Sequence, residues 1–443
     1  MSKTGMFEKR SQSIKKLSTR LQAKTAGISS VVRTTLDPGT GRKGFRNFIL
    51  SYPKPRSLIL TFLIASLLKF SLFVFSMPSG STSVSNRGGD ETNKIIIDMA
   101  GRRVKVPTAV RRIVALNGSL RFVVYLQAAD LLVGVEGIEK DDNNITNASG
   151  KKRVTGRPYQ AAIASLIDRL PVIGQGGPER PPDFESLLSV TPDLVLVFES
   201  KMANIIQERT GLPAVVINHP KTQAVDFSEI KKSFSFLGEL LDRRKRATEL
   251  SAFINSCLLD LKSRTAEVRP ISVFVGALNA RGSHGLTSTE AEYPPLLWLK
   301  TRNVVDELKK KGHLFIDREQ LLIWDPEYIF IDAAGLPLVA EDYQKNQVYY
   351  QRLSAVRNDK VFTVFPFNFY RTNIEVLLAN SYFIGKILYP DRFADLVPEQ
   401  KTAEIIKTFV GADVFYWLKE GYSGFCQVGF LENGLRVNKG KEY

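Results

Sequence analysis

The chain has 443 residues, of which 44% are hydrophobic and 24% charged, so it is long enough for two domains that each bury a core. Its formal net charge of +16 would suggest a nucleic-acid or membrane partner. However, residues 1–77 contain 14 of the 61 basic residues and only 2 of the 45 acidic ones. The remainder is nearly neutral, which argues against nucleic-acid binding by the folded part.

The basic residues precede an apolar run at 58–77, LILTFLIASLLKFSLFVFSM, which contains a single charge at Lys69. About 20 such residues can cross a bilayer as a helix, and this charge order is typical of signal peptides and membrane anchors. We predict a disordered basic leader at 1–56 and a signal or transmembrane segment at 57–77, which contacts the membrane. A buried core helix, a cytoplasmic tail, an organellar transit peptide and a start codon assigned too early are the alternatives, and cleavage stays open.

A Ser/Gly-rich stretch predicts a flexible tether at 78–93. After it, short apolar runs alternate with amphipathic segments. Apolar, β-branched runs without polar alternation are typical of a parallel sheet that is covered on both faces. The runs predict buried strands at 112–116, 131–135, 194–198 and 214–218.

Apolar residues then recur every three or four positions from 227 to 268, which predicts one long helix. Beyond the helix the strand pattern restarts, with apolar runs at 271–275, 328–331 and 361–364. The chain is therefore predicted to consist of an N-terminal lobe at 94–226, a linking helix at 227–268 and a C-terminal lobe at 269–443.

One sequence pattern occurs in both predicted lobes. Glu185 and Glu319 each stand seven residues before a proline, Pro192 or Pro326, and each is followed by Leu-Leu at the second and third positions after it. An acidic residue and a four-residue apolar run follow each proline. The repeat indicates two similar α/β lobes, although a generic helix-turn-strand unit would also produce it.

Motifs for catalysis are missing from the sequence. It contains no GxxxxGK[ST] phosphate loop, no GxGxxG after the first strand and no G-x-S-x-G elbow with a paired histidine. Only His219, His284 and His313 could supply imidazole, and the first and last are predicted to be surface or capping residues. We therefore predict no enzyme activity, no metal site and no cofactor. Cys257 and Cys426 could form a disulfide or remain buried thiols.

Ligand-type side chains follow several predicted strands. In open α/β sheets, ligands bind outside the carboxyl ends of the strands. Arginine suits anionic oxygens and tyrosine supplies flat contact area. Because no nucleophile accompanies them, we expect binding, without turnover, of a sizeable and partly anionic ligand. The candidate ligand-binding residues are Asn117, Ser119, Arg121, Arg157, Tyr159, His284, Glu290, Tyr293, Tyr370 and Arg371.

Several short motifs occur in a fixed order along the body: IDMAGRRV at 97–104, RIVAL at 112–116, LLVGVE at 131–136, GRPY at 156–159, LPVIG at 170–174 and TPDLV at 191–195. This series resembles the periplasmic substrate-binding proteins of iron-complex ABC importers. The segments GRPY, SHGLTSTE and FNFYRTNIE are similar in particular to the branch that binds haem or iron complexes. The resemblance covers about residues 94–430.

The resemblance implies an α/β fold of the class III periplasmic-binding-protein type, in which two Rossmann-like lobes with central parallel sheets are joined by one long α-helix. The ligand would lie between the lobes. It would be a chelated metal, most simply an iron complex such as a ferric siderophore or haem. An oxyanion such as molybdate is an alternative, as is a membrane-tethered sensor or enzyme that reuses the bilobal fold.

The resemblance also implies partners. In this family each lobe presents a glutamate to an arginine of the ABC permease, and the matching positions are Glu185 and Glu319. Exposed glutamates at helix starts would otherwise be only solvated caps. The permease connects the receptor to an ATPase. We expect a monomer in the periplasm or on the extracellular face of the cytoplasmic membrane.

Overall fold

The computed structural model describes residues 92–140, 156–218 and 225–438. They belong to one compact unit, Asn86–Tyr443. The predicted leader at 1–56, the segment at 57–77, nearly all of the tether at 78–93 and the residue His219 lie outside the described residues. Within the described ranges, no helix has both the length and the apolar character that a membrane span requires.

An antiparallel hairpin of β1 (Asn93–Ile97) and β2 (Arg103–Pro107) precedes the N-terminal lobe. Its turn is held by the Asp98 carboxylate, which accepts hydrogen bonds from the backbone amides of Ala100 at 3.0 Å and Arg102 at 2.8 Å. Gly101 adopts a φ of +78° in this turn, a conformation that glycine tolerates without steric cost. The IDMAGRRV motif therefore encodes this hairpin.

A four-stranded parallel sheet forms the centre of the N-terminal lobe. All four predicted strands are present, each shorter than its apolar run, and nearly all their residues are buried. Their order in the sheet is β4-β3-β5-β6 for β3 (Ile113–Ala115), β4 (Leu132–Gly134), β5 (Leu194–Val197) and β6 (Ala214–Val216). The helices of this lobe are α1 (Leu120–Tyr125), α2 (Gly137–Lys140), α3 (Pro158–Ala162), α4 (Ala164–Arg169), α5 (Phe184–Ser189) and α6 (Ser200–Thr210).

The segment predicted as one helix at 227–268 consists of two, α7 (Phe227–Leu240) and α8 (Arg244–Arg264). The break lies at Asp242, whose φ of +55° is incompatible with a continuing right-handed helix. The helices cross closely at Gly238, where an added Cβ would lie 2.7 Å from that of Ala247. The long helix that joins the lobes is therefore α8, with 21 residues and a length of about 30 Å.

A six-stranded mixed sheet forms the C-terminal lobe, in the order β14-β13-β12-β11-β7-β9. The strands from β12 to β9 are parallel, and β13 and β14 are antiparallel additions at one edge. These strands are β7 (Ser272–Gly276), β9 (Arg302–Asn303), β11 (Tyr328–Asp332), β12 (Val361–Val364), β13 (Gln427–Leu431) and β14 (Gly434–Asn438). A separate antiparallel pair consists of β8 (Ser288–Ala291) and β10 (Gly312–Phe315).

The repeated pattern around Glu185 and Glu319 produces the same local structure in both lobes. Helix α5 leads into β5, and α10 (Arg318–Trp324) leads into β11. The other helices of the C-terminal lobe are α9 (Pro294–Trp298), α11 (Leu336–Lys345), α12 (Gln347–Gln351), α13 (Ser354–Arg357), α14 (Ile374–Leu388), α15 (Pro398–Val410) and α16 (Phe415–Tyr422), with short 3₁₀ turns at Ala129–Leu131, Val304–Leu308 and Pro390–Phe393.

One apolar cluster runs from the N-terminal lobe through α7 and α8 into the C-terminal lobe. Tyr125 on α1 illustrates the continuity, because its ring lies 6.3 Å from that of Phe234 on α7 and 5.2 Å from that of Phe409 on α15. A shared, close-packed core resists large rearrangement. Movement between the lobes is therefore expected to be a small hinge motion. Cys257 and Cys426 are both buried and free, so they do not form a disulfide.

Candidate functional site

The carboxyl ends of the parallel strands in both lobes face a common region. One loop of the C-terminal lobe, residues 365–373 after β12, crosses to the N-terminal lobe and contacts the segments that follow β3, β4 and β5. Asn373 at the end of this loop donates to the carbonyl oxygen of Gly156 at 2.9 Å. The loop therefore brings most of the predicted site residues together.

Arg121 anchors the loop from the N-terminal lobe. Its guanidinium is fully buried and donates to the backbone carbonyl of Gly118 at 3.1 Å and to that of Phe369 at 3.2 Å. It also donates to the carbonyl oxygens of Tyr370 and Thr372, and it stacks over the Tyr159 ring at 4.9 Å. Four carbonyls from two lobes thus share one planar, multi-donor cation, which is the geometry to which arginine is suited.

Arg157 lies in a buried ion pair with Glu139, with 3.0 Å between Nη1 and Oε2. The Tyr159 hydroxyl also contacts the Glu139 carboxyl, at 3.1 Å from Oε1 and 3.2 Å from Oε2. Burial raises the pKa of Glu139, although the Arg157 and Arg121 charges oppose this rise. Proline at the first position of α3 fixes the start of the helix that carries Tyr159. In this structure Arg157 and Tyr159 bind a protein carboxyl.

Tyr370 connects the lobes through a second carboxyl. Its hydroxyl donates to Oε2 of Glu136 at 2.6 Å and accepts from the amide of Gly177 at 3.0 Å. Burial raises the pKa of Glu136 to about 7, against the opposing effect of the hydrogen bond from Tyr370. Glu136 lies two residues after β4, near the strand end where ligands of α/β proteins bind. Glu136 is the last residue of the LLVGVE motif, but it was not among the predicted site residues.

Arg371 lies beside Tyr370 and contacts three groups of the N-terminal lobe. It donates to the carbonyl of Asn117 at 3.1 Å, pairs with Glu199 at 3.2 Å and lies 4.9 Å from the centre of the Phe198 ring. Asn117 itself donates to the carbonyl of Gly177 at 3.1 Å. Arg371 is therefore part of the same contact between the lobes.

The backbone in this contact adopts uncommon conformations on both sides. Asn117 and Gly118 have φ values of +56° and +86°, and Tyr370 and Arg371 have values of +48° and +79°. A side chain at Gly118 would place its Cβ 2.7 Å from the carbonyl oxygen of Tyr370. Left-handed residues other than glycine cost free energy and cluster at functional sites. Ser119, by contrast, has a role inside its own lobe, because its fully buried hydroxyl donates to the carbonyl of Leu196 at 3.1 Å.

His284 lies apart from the arginines, in a second cluster of the C-terminal lobe. Its Nε2 lies 2.8 Å from the carbonyl of Ala280, and its ring centre lies 6.2 Å from that of His313 and 5.0 Å from that of Phe315. His313 is half-buried and contacts the Ser288 hydroxyl at 2.7 Å, so it is more than the surface residue that was predicted. No sequence signal indicated β10, which carries it.

Glu290 and Tyr293 lie in a buried polar group with two residues that were not predicted for the site, Asp332 and Tyr422. Burial raises the pKa of Tyr293 and that of Tyr422, and the nearby Asp332 charge adds to both rises, with a smaller contribution from Glu290 at Tyr293. The positive charge of Arg157, in the other lobe, opposes the rise in the pKa of Tyr422. We refer to Glu290, Tyr293, Asp332 and Tyr422 as the polar wall. Asp332 could have been identified, because it directly follows the predicted strand at 328–331.

The positions of unpaired polar atoms mark the same region. Buried polar atoms nearly always have a hydrogen-bond partner, so each exception needs an explanation. Within the described ranges, every buried side-chain oxygen that lacks a partner lies in α3, at the end of β8 or β11, at the start of α9 or α14, at the end of the 365–373 loop or at the end of α16. These oxygens belong to Gln160, Glu290, Tyr293, Asp332, Thr372, Asn373, Glu375 and Tyr422.

A metal centre built from protein ligands is not evident in the described part of the chain. There, no group of three or more His, Cys, Asp and Glu side chains is arranged to hold a metal ion. Glu185 and Glu319, which were predicted to dock a permease, are both exposed in the first turns of α5 and α10. The Asp183 carboxylate caps α5 by accepting from the amide of Ser186 at 2.7 Å.

Comparison with known proteins agrees with this architecture. The family model for periplasmic binding proteins matches residues 119–366. The high-affinity heme uptake system protein IsdE of Staphylococcus aureus strain Newman is 19% identical over 269 residues, which cover 55% of this chain and 89% of that protein.

Two solved structures share the fold. MolA of Haemophilus influenzae bound to molybdate superposes with a TM-score of 0.55 at 20% identity, covering 72% of this chain and 98% of MolA. The TroA-like protein FepB of Veillonella parvula superposes with a TM-score of 0.52 at 18% identity, covering 71% and 96%. Since the family model spans more than half of the chain and the two α/β lobes have the class III arrangement, the chain belongs to the periplasmic binding protein family.

Proposed function

We propose that the protein is an extracytoplasmic receptor that captures a chelated metal, an iron complex such as a ferric siderophore or haem, and delivers it to the permease of an ABC importer. The observation that carries the proposal is the contact between segments that follow strand ends of both lobes, in a part of the structure where several buried side-chain oxygens lack a partner. Ligands of open α/β sheets bind at such strand ends. An N-terminal signal or anchor segment at 57–77 would place the receptor outside the cytoplasm.

The charge arrangement favours a metal chelate over the alternative ligand, an oxyanion such as molybdate. An oxyanion needs hydrogen-bond donors, yet Arg121, Arg157 and Arg371 already donate to protein carbonyls and carboxylates. The unpaired atoms near them are mainly acceptors. IsdE, a relative named for haem uptake, agrees with the chelate.

Binding without catalysis is supported by the Ser–His contact between Ser288 and His313. The Ser288 hydroxyl is fully buried and donates to the carbonyl of Leu278 at 2.7 Å, so its proton is already committed. His313 Nε2, at 2.7 Å from the same hydroxyl, must then donate to it and cannot act as a general base. This argues against the alternative of a tethered enzyme.

The ligand is tested by equilibrium dialysis of the purified full-length protein against haem, a ferric trihydroxamate, a ferric tricatecholate and molybdate. We expect saturable retention of one iron chelate, with a dissociation constant of roughly micromolar or below. Saturable retention of molybdate without retention of any chelate would contradict the proposal.

Docking is tested separately, by the charge-reversal variant Glu185→Arg/Glu319→Arg in a whole-cell uptake assay with the retained chelate. Glu185 and Glu319 are proposed to orient the receptor on permease arginines, so reversing their charge should slow uptake by about tenfold or more through lost association. Chelate affinity should not change, because both residues lie on exposed helix starts. Glu208→Arg, on an exposed position of α6, is the matched control and should leave uptake unaltered.

A further inference from the structure

The unpaired oxygens at the junction of the lobes have a common chemical character. Of the eight, five are carbonyl or carboxyl oxygens of Gln160, Glu290, Asp332, Asn373 and Glu375, and the other three are hydroxyls. Carbonyl and ionised carboxyl oxygens can only accept hydrogen bonds. A ligand group that pairs with the amide carbonyls of Gln160 and Asn373, or with Glu290 and Asp332 in their ionised form, must therefore donate.

In the described part of the chain, no arginine of the contact between the lobes forms an ion pair with the carboxyls of the polar wall. Arg157 is paired with Glu139, and Arg371 with Glu199. The Arg121 guanidinium is directed to backbone carbonyls. Within the described ranges, neither Glu290 nor Asp332 forms an ion pair, and Asp332 accepts only from backbone amides such as that of Ala334, at 2.9 Å.

The surroundings of the two carboxyls explain their electrostatic state. Glu290 and Asp332 are 3% and 0% exposed. Burial raises the pKa of Glu290 to about 8 and that of Asp332 to about 7, although nearby backbone amides oppose the rise at Asp332. A positive charge placed beside such carboxyls favours their ionised form, so a cationic group would bind together with the loss of their protons.

The tyrosines complete the wall and lie beneath the 365–373 loop. The Tyr293 ring lies 5.8 Å from that of Phe367, and the Tyr422 ring lies 6.2 Å from that of Phe369. Asn380, which lies near the Tyr293 hydroxyl, already pairs with both backbone groups of Phe365. Since the wall is buried and two of its tyrosines contact this loop, we expect a ligand to reach the wall when the loop moves.

We propose, on the basis of the receptor function proposed above, that the cargo presents a cationic, hydrogen-bond-donating group, such as a primary ammonium, to the polar wall formed by Glu290, Tyr293, Asp332 and Tyr422. The cargo is then an iron chelate that has a positively charged arm in addition to its metal centre. The wall selects for that arm.

The test uses three ferric trihydroxamates that differ in one substituent: a free primary ammonium, the same amine acetylated, and the same amine succinylated. Their charges on that arm are positive, neutral and negative, while the metal centre is unchanged. Affinities for the full-length protein are measured by quenching of its tryptophan fluorescence. We expect the ammonium chelate to bind about tenfold or more tightly than the acetylated one, and the succinylated one to bind weakest.

The wall is tested with the isosteric variant Glu290→Gln/Asp332→Asn, in which the preference for the ammonium chelate should fall to about threefold or less. Glu208→Gln/Glu267→Gln, on two exposed positions, is the matched control and should retain the full preference. Circular dichroism of both variants establishes that they are folded. Should the wall variant fail to fold, Tyr422→Phe is used in its place, with a smaller expected loss of preference.

The outcomes separate this inference from the receptor function. If the chelates bind with equal affinity, or the succinylated one binds best, the cationic arm is refuted and the receptor function stands. If the preference persists in the wall variant, the assignment to Glu290 and Asp332 is wrong. A further outcome is that native mass spectrometry finds a divalent metal ion bound without a chelate, and that only the wall variant loses it. In that case the wall is a metal-ion site and does not recognise the cargo. If none of the chelates binds, both proposals fail for this cargo class.

Discussion

Replacing Arg121 by lysine should weaken the contact between the two lobes, while the buried positive charge is retained. The arginine donates to carbonyls of Gly118 in one lobe and of Phe369, Tyr370 and Thr372 in the other. A lysine ammonium is a compact charge that cannot reach acceptors spread around a planar fork. The substitution should therefore leave about two of the four carbonyls without a partner.

Each buried acceptor that loses its partner costs about 1–3 kcal/mol, so Arg121→Lys should lower the free energy of unfolding by about 3 kcal/mol. With a urea dependence of about 3 kcal/mol/M, this corresponds to a midpoint lower by roughly 1 M. The assay is urea unfolding followed by far-ultraviolet circular dichroism, together with hydrogen exchange of the amides at 369–373. Those amides should exchange faster in the variant.

Arg243→Lys is the control, because Arg243 makes a partly exposed ion pair with Asp130 at 3.2 Å. Exposed pairs contribute at most about 1 kcal/mol, and lysine can retain this one. If the two variants lose the same stability, within about 0.5 kcal/mol, Arg121 does not hold the lobes together and the reasoning is refuted.

Two further predictions concern the same contact. Gly118→Ala should destabilise the protein by about 1–3 kcal/mol more than Gly211→Ala. Both glycines have a positive φ, but only the new Cβ at position 118 would clash with a backbone atom. Equal losses of stability in urea unfolding would rule out the clash. Between pH 4.5 and about 7, folded protein keeps a proton on Glu136 that unfolded protein releases, so stability falls as the pH rises through this range. Glu136→Gln should therefore gain stability relative to the unmodified protein as the pH is raised from 4.5 to about 7, and a constant difference in pH-dependent thermal unfolding would argue against a raised pKa.

The fold was predictable from the sequence because its signals are local. Unalternating apolar runs identify buried parallel strands, and the repeated pattern around Glu185 and Glu319 identifies the second lobe. The helix break at Asp242 was not predictable, since the apolar spacing continues across it and aspartate has no strong helix-stopping signal. The strand β10 is also missing from the prediction, because GHLF has no clear period-two pattern.

The region where the two lobes meet was predictable, but the contacts of its residues were not. Residues after strand ends indicated where the two lobes meet, and the 365–373 loop does contact that region. Three of the four carbonyl partners of Arg121 lie about 250 residues away in the sequence, so little that is local distinguishes a ligand-binding arginine from one that binds backbone carbonyls. Whether Arg121, Arg157 and Arg371 also contact ligand stays a prediction. Glu136 and Asp332 each directly follow a predicted buried strand, so an acidic residue at that position is a sequence signal for the region where the lobes meet.

The central claim, capture of an iron chelate, is tested most directly by the mass and absorbance of the ligand that copurifies with the full-length protein from iron-supplemented cells. The account predicts a coloured species whose mass fits an iron complex, one per chain, with an amine or another cationic group in addition to the metal centre. A colourless oxyanion such as molybdate, bound in the same ratio, would contradict it.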